Sequence, residues 1–561
     1  MLITLASWGI IVGCSLIWGY AFVRLLFANA FQSSKYKIDV YFVAGIMCLT
    51  VYAQIVSIFT RVGRAAFCWM VIVTICLMAL AIYKHQINCG LILSDFRSWG
   101  KKVELWKITL GVMVAVGVLV ITTQDPEFVD TYLYHIQAVK WIEEYGVVLG
   151  LGNLHNRFAY NSSFLPLQAL FSFSWTGKTL HSLNGCLACF FVLYSILTNR
   201  FFRREERRMS DAMKLVAVFY ILLNRRTISS LSTDILPMLL VLYVLQKWSD
   251  CMADHEKENS YVLLCLFAVF AATVKLSTVT LMLLAVYPAY FLIREKRWKN
   301  ILGYVIMGAL IMTPWLVRNI MISGYLVYPY SSIDLFDVDW KMPASLLDYD
   351  RQEIIVWGRG VEDVSRYADS FATWFPTWFS SQMLRNKLLI VLGFGTTLIL
   401  CGIILCQIVS LIRKKHSAEE QGWNCILLLT VMVTGELFWL FSAPLVRYGM
   451  VYLMLPAAVV IYYFEERYGE QWNRLLVPLV SMVAVVILLG RSGEIHLIQP
   501  SDYWEIDSTA NDFQGLTIYS ASDGGTLSDH RNFPAVASIY VLQRIELRGD
   551  ELSSGFRPKE Q

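Results

Sequence analysis

Between Gln124 and Leu165 the chain reads QDPEFVDTYLYHIQAVKWIEEYGVVLGLGNLHNRFAYNSSFL. Acids, histidines, amides and aromatics crowd here between apolar runs. A stretch this polar beside membrane spans must sit in water or line a wet cavity, because its charges cannot face lipid. Asp130, Tyr134, Gln137 and Trp141 recur at the spacing of one helical stripe, with His135 adjacent. No Gly or Pro interrupts the pattern before Gly146, which supplies a stop. Asp130 at the start of this helix has two readings. It caps the first amides at the positive end of the dipole, or it is a general base at the bilayer surface, where a lipid-linked substrate arrives. Asp125 and Glu127 are the nearby carboxylates, and Asp125 before Pro126 also suits a turn.

Four cations could serve a phosphate. Arg157 lies in the same stretch, Arg318 follows TPWLV, Arg447 follows SAPLV, and Lys275 interrupts an otherwise apolar run from Tyr261 to Ile293. Guanidinium forks match phosphate oxygens, whereas cations at span ends also serve as interface anchors. A charge inside an apolar run is costly, which singles out Lys275 and also Asp234, just inside a turn, as a partner for a cation or a sugar. The stretch 318–386 is long and aromatic, with Tyr325, Tyr328, Tyr330, Trp340, Trp357, Tyr367, Trp374 and Trp378. Those rings suit sugar faces or a membrane-interface belt, and a loop of this length suits closure over an acceptor.

The elements that position these residues are membrane spans. The 561 residues are 57% hydrophobic and 16% charged, with mean hydropathy +0.52. Soluble domains carry about 25% charged residues, so this composition is that of a membrane protein. A net charge of +4 is too even for a nucleic-acid partner. Most of the 12 cysteines lie in apolar runs and act as small hydrophobes, with only Cys89 and Cys251 placed in polar loops. Cys186 and Cys189 are three apart without further ligands, so no zinc site follows. The first residues lack a basic leader and a cleavage site and read as a retained span.

Apolar runs at 2–27, 38–60, 65–83, 106–122, 180–198, 212–224, 234–248, 260–274, 277–293, 300–317, 388–412, 424–441, 447–464 and 474–490 give about fourteen spans. Basic loops, including the one with Arg97, Lys101 and Lys102 and the one from Arg200 to Lys214, are cytoplasmic by the positive-inside rule. The stretch around Asp130 is then extracytoplasmic, as is the N-terminus; Arg61 and Arg64 violate the rule. To keep the remaining loops consistent, 162–176 is expected to lie as a helix at the outer interface. Residues 491–561 form a small extracytoplasmic appendage with alternating runs such as LTIYSA and ASIYVLQRIEL.

DTYLYHIQAVKWIEEYG resembles the first extracytoplasmic loop of the GT-C glycosyltransferases, in which an Asp-Glu pair and a Tyr precede a helix. FLPLQALFSFSWTG resembles the interfacial helix that comes next in those enzymes. ISSLSTDILP, ATVKLS, TPWLVRNIMISGYLVYP, SAPLVRYG and IELRGDELSSGFR resemble an uncharacterised branch of bacterial membrane proteins near the family 39-like enzymes. The resemblance covers most of the chain from about Leu105. It implies an all-α polytopic protein with a GT-C-like bundle of about 12–14 transmembrane helices, a transmembrane domain over 1–490 with outer loops 123–179 and 318–386, and the tail 491–561. It also implies sugar transfer from a polyprenyl-phosphate donor, with Asp130 matching the family's acceptor-activating Asp. Thr131 stands where the pair has Glu, so a divalent metal held by the pair loses its second ligand unless Asp125 or Glu127 substitutes.

The expectation is a membrane glycosyltransferase of the bacterial inner membrane, working on the extracytoplasmic face in cell-envelope polysaccharide biosynthesis. Asp130 is catalytic; Lys275, Arg318, Arg447, Arg157, Tyr134, His135 and Asp234 bind substrate. Its partners are a polyprenyl-phosphate-linked sugar, a glycan or lipid-linked acceptor, and membrane lipids. No cofactor is fixed and a divalent metal stays open. The alternatives are a polysaccharide polymerase or ligase, and a non-enzymatic transporter or flippase of lipid-linked sugars, which usually shows internal repeats and midplane polar sites.

Overall fold

The computed structural model describes residues 1–32, 37–84, 103–201, 203–413, 419–468 and 496–559. Long apolar runs without helix breakers become helices, because a spanning backbone must satisfy its own polar groups. In chain order they are α1 (Leu2–Leu26), α2 (Ile38–Phe59), α3 (Arg64–Tyr83), α4 (Leu105–Thr122), α5 (Ile136–Glu144), α6 (Phe164–Leu170), α7 (Leu183–Leu197), α8 (Met209–Leu223), α9 (Ile235–Ala253) and α10 (Glu258–Val274). There follow α11 (Val286–Arg294), α12 (Trp298–Ser323), α13 (Ala344–Gly358), α14 (Phe371–Ser381), α15 (Leu384–Arg413), α16 (Glu419–Ser442) and α17 (Val446–Tyr468). Every expected crossing from 2–27 to 447–464 falls on a helix, while 474–490 and the loop with Cys89, Arg97, Lys101 and Lys102 lie outside the described residues.

Among the described residues, ten helices are long and apolar enough to cross a membrane. The chain is therefore a mostly helical, multi-pass membrane protein. α7 and α10 are apolar but shorter, and α8 has only 15 residues. With α9 they form a buried centre in which Tyr243, Trp248, Leu263 and Phe267 are wholly enclosed.

Contacts sort the loops into two faces. The Met1 amine donates to the His496 carbonyl, Asp125 accepts from Ser501, Arg157 pairs with Glu353 and Arg548 with Asp339. The N-terminus, the Asp130 stretch, the long loop and the tail thus share one face. On the opposite face Arg203 pairs with Glu104, Arg208 with Asp254 and Arg207 with Glu465. The Arg61–Arg64 turn stays with the first group, because the Val62 amide donates to Ile142 of α5.

Four expectations change. Residues 162–176 do not form a helix lying at an interface: α6 spans only Phe164–Leu170 and every one of its side chains is buried. Ser162 and Ser163 just before it bond to Val274 and Thr273 at the end of α10, which draws the segment into the protein. The long loop begins after Ser323 rather than at Arg318, since α12 continues through that residue, and the loop contains α13 and α14. Cys251 lies on α9 and is buried, not in a polar loop. In ASIYVLQRIEL only Ile545–Leu547 is strand, after a tight helical turn over Ile539–Gln543.

The tail comprises two antiparallel hairpins, β1 (Ser508–Phe513) with β2 (Leu516–Ala521) and β3 (Ile545–Leu547) with β4 (Phe556–Pro558). β2 is the LTIYSA run. Gln514 and Gly515 both take positive φ, as a two-residue turn matching strand twist requires.

α1 and α2 meet through small residues. A Cβ on Gly45 would lie 1.7 Å from the Ser15 carbonyl oxygen, and one on Gly19 1.7 Å from that of Tyr41. Backbone cannot yield as a side-chain tip can, so close approach here depends on glycine. Gly45→Val is expected to destabilise the detergent-solubilised protein by about 3 kcal/mol from overpacking, read as a sharp fall in its thermal midpoint. Gly13→Val on α1, where nothing lies within 4 Å, is the matched control expected to leave it unchanged.

Candidate functional site

The Asp130 stretch enters its helix through a wide turn. The Ile136 amide donates to the Thr131 carbonyl, five residues back, before regular α5 begins. Such π-type turns often occur at functional sites. Asp130 makes no capping hydrogen bond; its Oδ2 accepts instead from Arg447 Nη2 at 2.8 Å. The helix-cap reading of Asp130 is thus not the one realised.

Arg447 sits one residue into α17. Trp378 and Trp439 donate their indole N–H groups to the Pro444 and Leu445 carbonyls, fixing the turn that presents it. Its Nη2 also donates to Tyr448 Oη at 3.0 Å, and its Nε lies 3.6 Å from Asp234 Oδ2.

Asp234 directly precedes α9, on a turn whose carbonyls at Thr227, Ser230 and Ser232 accept from the Asn184 amide. Its Oδ1 accepts from Lys275 Nζ. Lys275 lies at a break: α10 stops, Lys275 is extended, and the chain resumes as a 3-10 helix over Leu276–Ala285 before α11. Its ammonium stands 3.4 Å from the centroid of the Tyr448 ring. Burial opposes the Asp234 charge, but Lys275 and Arg447 outweigh it and hold the carboxyl below its ordinary range.

Two carboxylates and two cations from four separate segments therefore meet. His135 adjoins them, 1% exposed, with neither ring nitrogen hydrogen-bonded among the described residues. The Tyr134 ring lies 4.2 Å from it and Phe128 6.4 Å. Burial lowers the His135 pKa to about 4 despite Asp130 and Asp234, leaving a neutral imidazole with two unused nitrogens. Tyr134 is pushed far above the usual phenol range by burial and by Asp130, so it is a neutral hydroxyl.

The residues singled out from sequence thus divide. Asp130, Asp234, Lys275, Arg447, His135 and Tyr134 are brought together; Arg157 and Arg318 are not. Arg157 donates to Glu353 at 2.8 Å and lies 3.6 Å from Asp350. Burial works against its charge, but Asp350, Tyr160 and Glu353 hold it more firmly protonated. Asp350, wholly buried, also accepts from Asn156, Tyr160 and Tyr328, so this cluster clips the long loop to the Asp130 stretch. Arg318 is 1% exposed and donates to Asn161 at 3.0 Å and to Ser57, bracing α12 against α2. Sequence reasoning missed Tyr448 and Phe128, whose rings flank Arg447 at 4.9 and 5.1 Å. Tyr448 follows Arg447 directly in SAPLVRYG, yet nothing in that spacing separates it from an interface tyrosine.

A divalent metal does not fit this set. Asp125 accepts from Ser501 and Glu127 pairs with Arg226, so neither stands in for the missing Glu. Asp130 and Asp234 already face cations, and among the described residues no three His, Cys, Asp or Glu are grouped to hold an ion.

The tail grips the same helix from its other side. The Gln137 amide donates to the Asp529 and Asn532 carbonyls and accepts from Ala535 N–H. The Tyr132 carbonyl accepts from the Ser528 amide, its hydroxyl accepts from the Trp504 amide, and its ring stacks on Trp504 at 4.7 Å. Trp141 packs on Phe533 and Phe556. The expected single stripe therefore serves two partners, Asp130 and Tyr134 facing the charges, Gln137 and Trp141 the tail. One extra residue in the wide turn rotates the rest of the helix by about 100°.

Burial on this face has a consequence for pH. His135, His155 and His181 all have pKa values lowered to about 4 by burial, from an ordinary 6.5. The unfolded chain binds protons that the folded one refuses, so their contribution is complete above about 6.5 and is lost as pH falls toward 4. Glu143, raised by burial to about 7, acts oppositely across about 4.5 to 7. The three imidazoles, each on the order of 3 kcal/mol, outweigh Glu143 and the likewise raised Glu353, so the thermal midpoint is expected to fall when pH is lowered from 7 to 5. His135→Asn is expected to make that fall shallower; a midpoint that rises on acidification would contradict the assignment.

A family described as a domain of unknown function, DUF8201, matches residues 1–454. That range holds all six residues gathered at the site and stops short of the tail. No curated protein matches the chain, and no solved structure does. Because the match spans most of its length, the chain belongs to the DUF8201 family.

Proposed function

We propose that the protein is an inverting GT-C-type glycosyltransferase that moves a sugar from a polyprenyl-phosphate carrier to a lipid-linked glycan or another cell-envelope acceptor. One observation carries this reading: Asp130, Asp234, Lys275 and Arg447 converge beside a buried imidazole with unused nitrogens. A carboxylate paired with cations that suit a phosphoryl group is what transfer from a phosphate ester needs. Asp130 takes the acceptor hydroxyl proton. The acceptor oxygen bonds to the anomeric carbon as the sugar–phosphate C–O bond breaks, and the electron pair departs on the phosphate, which Arg447 and Lys275 hold. His135 and Tyr134, both neutral, orient hydroxyl groups. Arg157 and Arg318 have no part in this step, since their charges are engaged elsewhere. The site faces outside the cytoplasm of a bacterial inner membrane, in keeping with the basic character of the opposite face.

The second reading, a carrier of lipid-linked sugars, draws on the break at Lys275. A span that starts as a ten-residue 3-10 helix, with a buried Ser277 hydroxyl that has no hydrogen-bond partner among the described residues, resembles the discontinuous helices of transporters. Transfer of labelled sugar from polyprenyl-phosphate donors in membranes separates the two. Wild type is expected to transfer and Asp130→Asn to lose about 10²- to 10⁴-fold, the usual share of a general base. Undiminished transfer by the variant removes Asp130 from the mechanism; transmembrane movement of the lipid-linked sugar without transfer supports the carrier.

A further inference from the structure

The ion pairs at the site are not equivalent. Asp234, with its side chain 9% exposed, is held by Lys275 and lies against Arg447. Asp130, its side chain 19% exposed, meets Arg447 through a single hydrogen bond, and Arg447 is itself 34% exposed. If Asp130 leaves, Arg447 keeps Asp234, the Tyr448 hydroxyl and the flanking Phe128 ring. The guanidinium therefore stays in place, Nη2 still bonded to the Tyr448 hydroxyl, with the N–H that faced Asp130 freed. Charge argues the same way. With Asp130 and Asp234 opposing Lys275 and Arg447 and His135 neutral, the cluster sums to zero, and a phosphoryl anion added to it meets an uncompensated like charge in Asp130. Once Asp130 withdraws, the remaining three charges sum to +1, matching a phosphate ester.

We propose that Asp130 and a phosphoryl group are alternative partners of Arg447, so that arrival of the phosphate releases the carboxylate as a base. The inference rests on the phosphate-binding reading of the site and adds an order to it. Before the donor binds, Asp130 is masked in its ion pair; afterwards it is free beside the sugar. No bond is made or broken in this exchange, and proton uptake by Asp130 belongs to the later transfer step. Tyr448 becomes a positioning residue, its hydroxyl holding Arg447 and its ring lying against Lys275 in both states.

The exchange predicts an inverted response to mutation, because losing a residue that merely lines a site weakens binding. Binding of inorganic phosphate and of a short polyprenyl monophosphate without sugar is measured by thermophoresis on the full chain in nanodiscs. Asp130→Asn is expected to bind about fivefold tighter than wild type, the scale of a partly exposed ion pair. Arg447→Lys is expected to bind at least tenfold weaker. Tightening toward both probes marks the phosphoryl group itself as the competitor; tightening toward the lipid alone marks the membrane-borne ester, and either supports the exchange. Binding by Asp130→Asn that is unchanged or weaker for both probes overturns it, and Asp130→Ser provides the same comparison if the first variant folds poorly. Tightening without any sugar transfer by wild type leaves the exchange standing and removes the enzyme reading instead.

Discussion

A buried carboxylate between two cations sets the terms for the rest of this protein. Asp234 has its side chain almost enclosed, and an ionised group in such surroundings needs compensation, which Lys275 and Arg447 supply. Each comes from a different place. Asp234 precedes one central helix, Lys275 sits where another stops, and Arg447 begins a third after a turn braced by two tryptophans. Asp234 faces both cations, so its ion pairs join the ends of α9, α10 and α17. Lys275 does so from an extended residue, where α10 stops and a 3-10 helix begins.

Around this knot the protein assembles a face. The Arg157–Asp350 cluster clips the long loop to the Asp130 stretch, and α14 in that loop braces the turn before Arg447 through Trp378. The tail closes the far side, seizing Tyr132, Gln137 and Trp141 of the same helix. Asp130 is thus carried by a short turn restrained on one side by the tail and meeting on the other a single, partly exposed ion pair. Support behind and one partly exposed contact in front are compatible with the proposed exchange of partners at Asp130.

Much of the fold was legible because membrane solvation imposes long apolar runs, and each run through 447–464 became a helix. What periodicity could not show was the effect of tertiary bonds on segments without strong amphipathicity. The 162–176 segment reads as an interface helix by orientation bookkeeping, but Ser162 and Ser163 bond to the end of α10 and pull it inside. Arg318 reads as a cation at a span end, but it lies within α12 and is consumed by Ser57 and Asn161. The stripe from Asp130 to Trp141 is present, yet one wide turn divides it between two partners.

By itself the sequence determined the solvent of the chain, the sites of its helices, and which ionisable residues stood where an unneeded charge would be expensive. Lys275 and Asp234 were identifiable on that ground alone, since an apolar context penalises any charge without a purpose. Only the tertiary structure decided which cations share the Asp130 site. Arg157, Arg318 and Arg447 look alike in a linear reading, each beside polar or aromatic neighbours. Their difference lies in what faces them: two carboxylates for Arg157, neutral oxygens for Arg318, and for Arg447 one buried carboxylate with one partly exposed. Coulomb interactions depend on separation in space, and residues 130, 234, 275 and 447 acquire that proximity only when the helices pack.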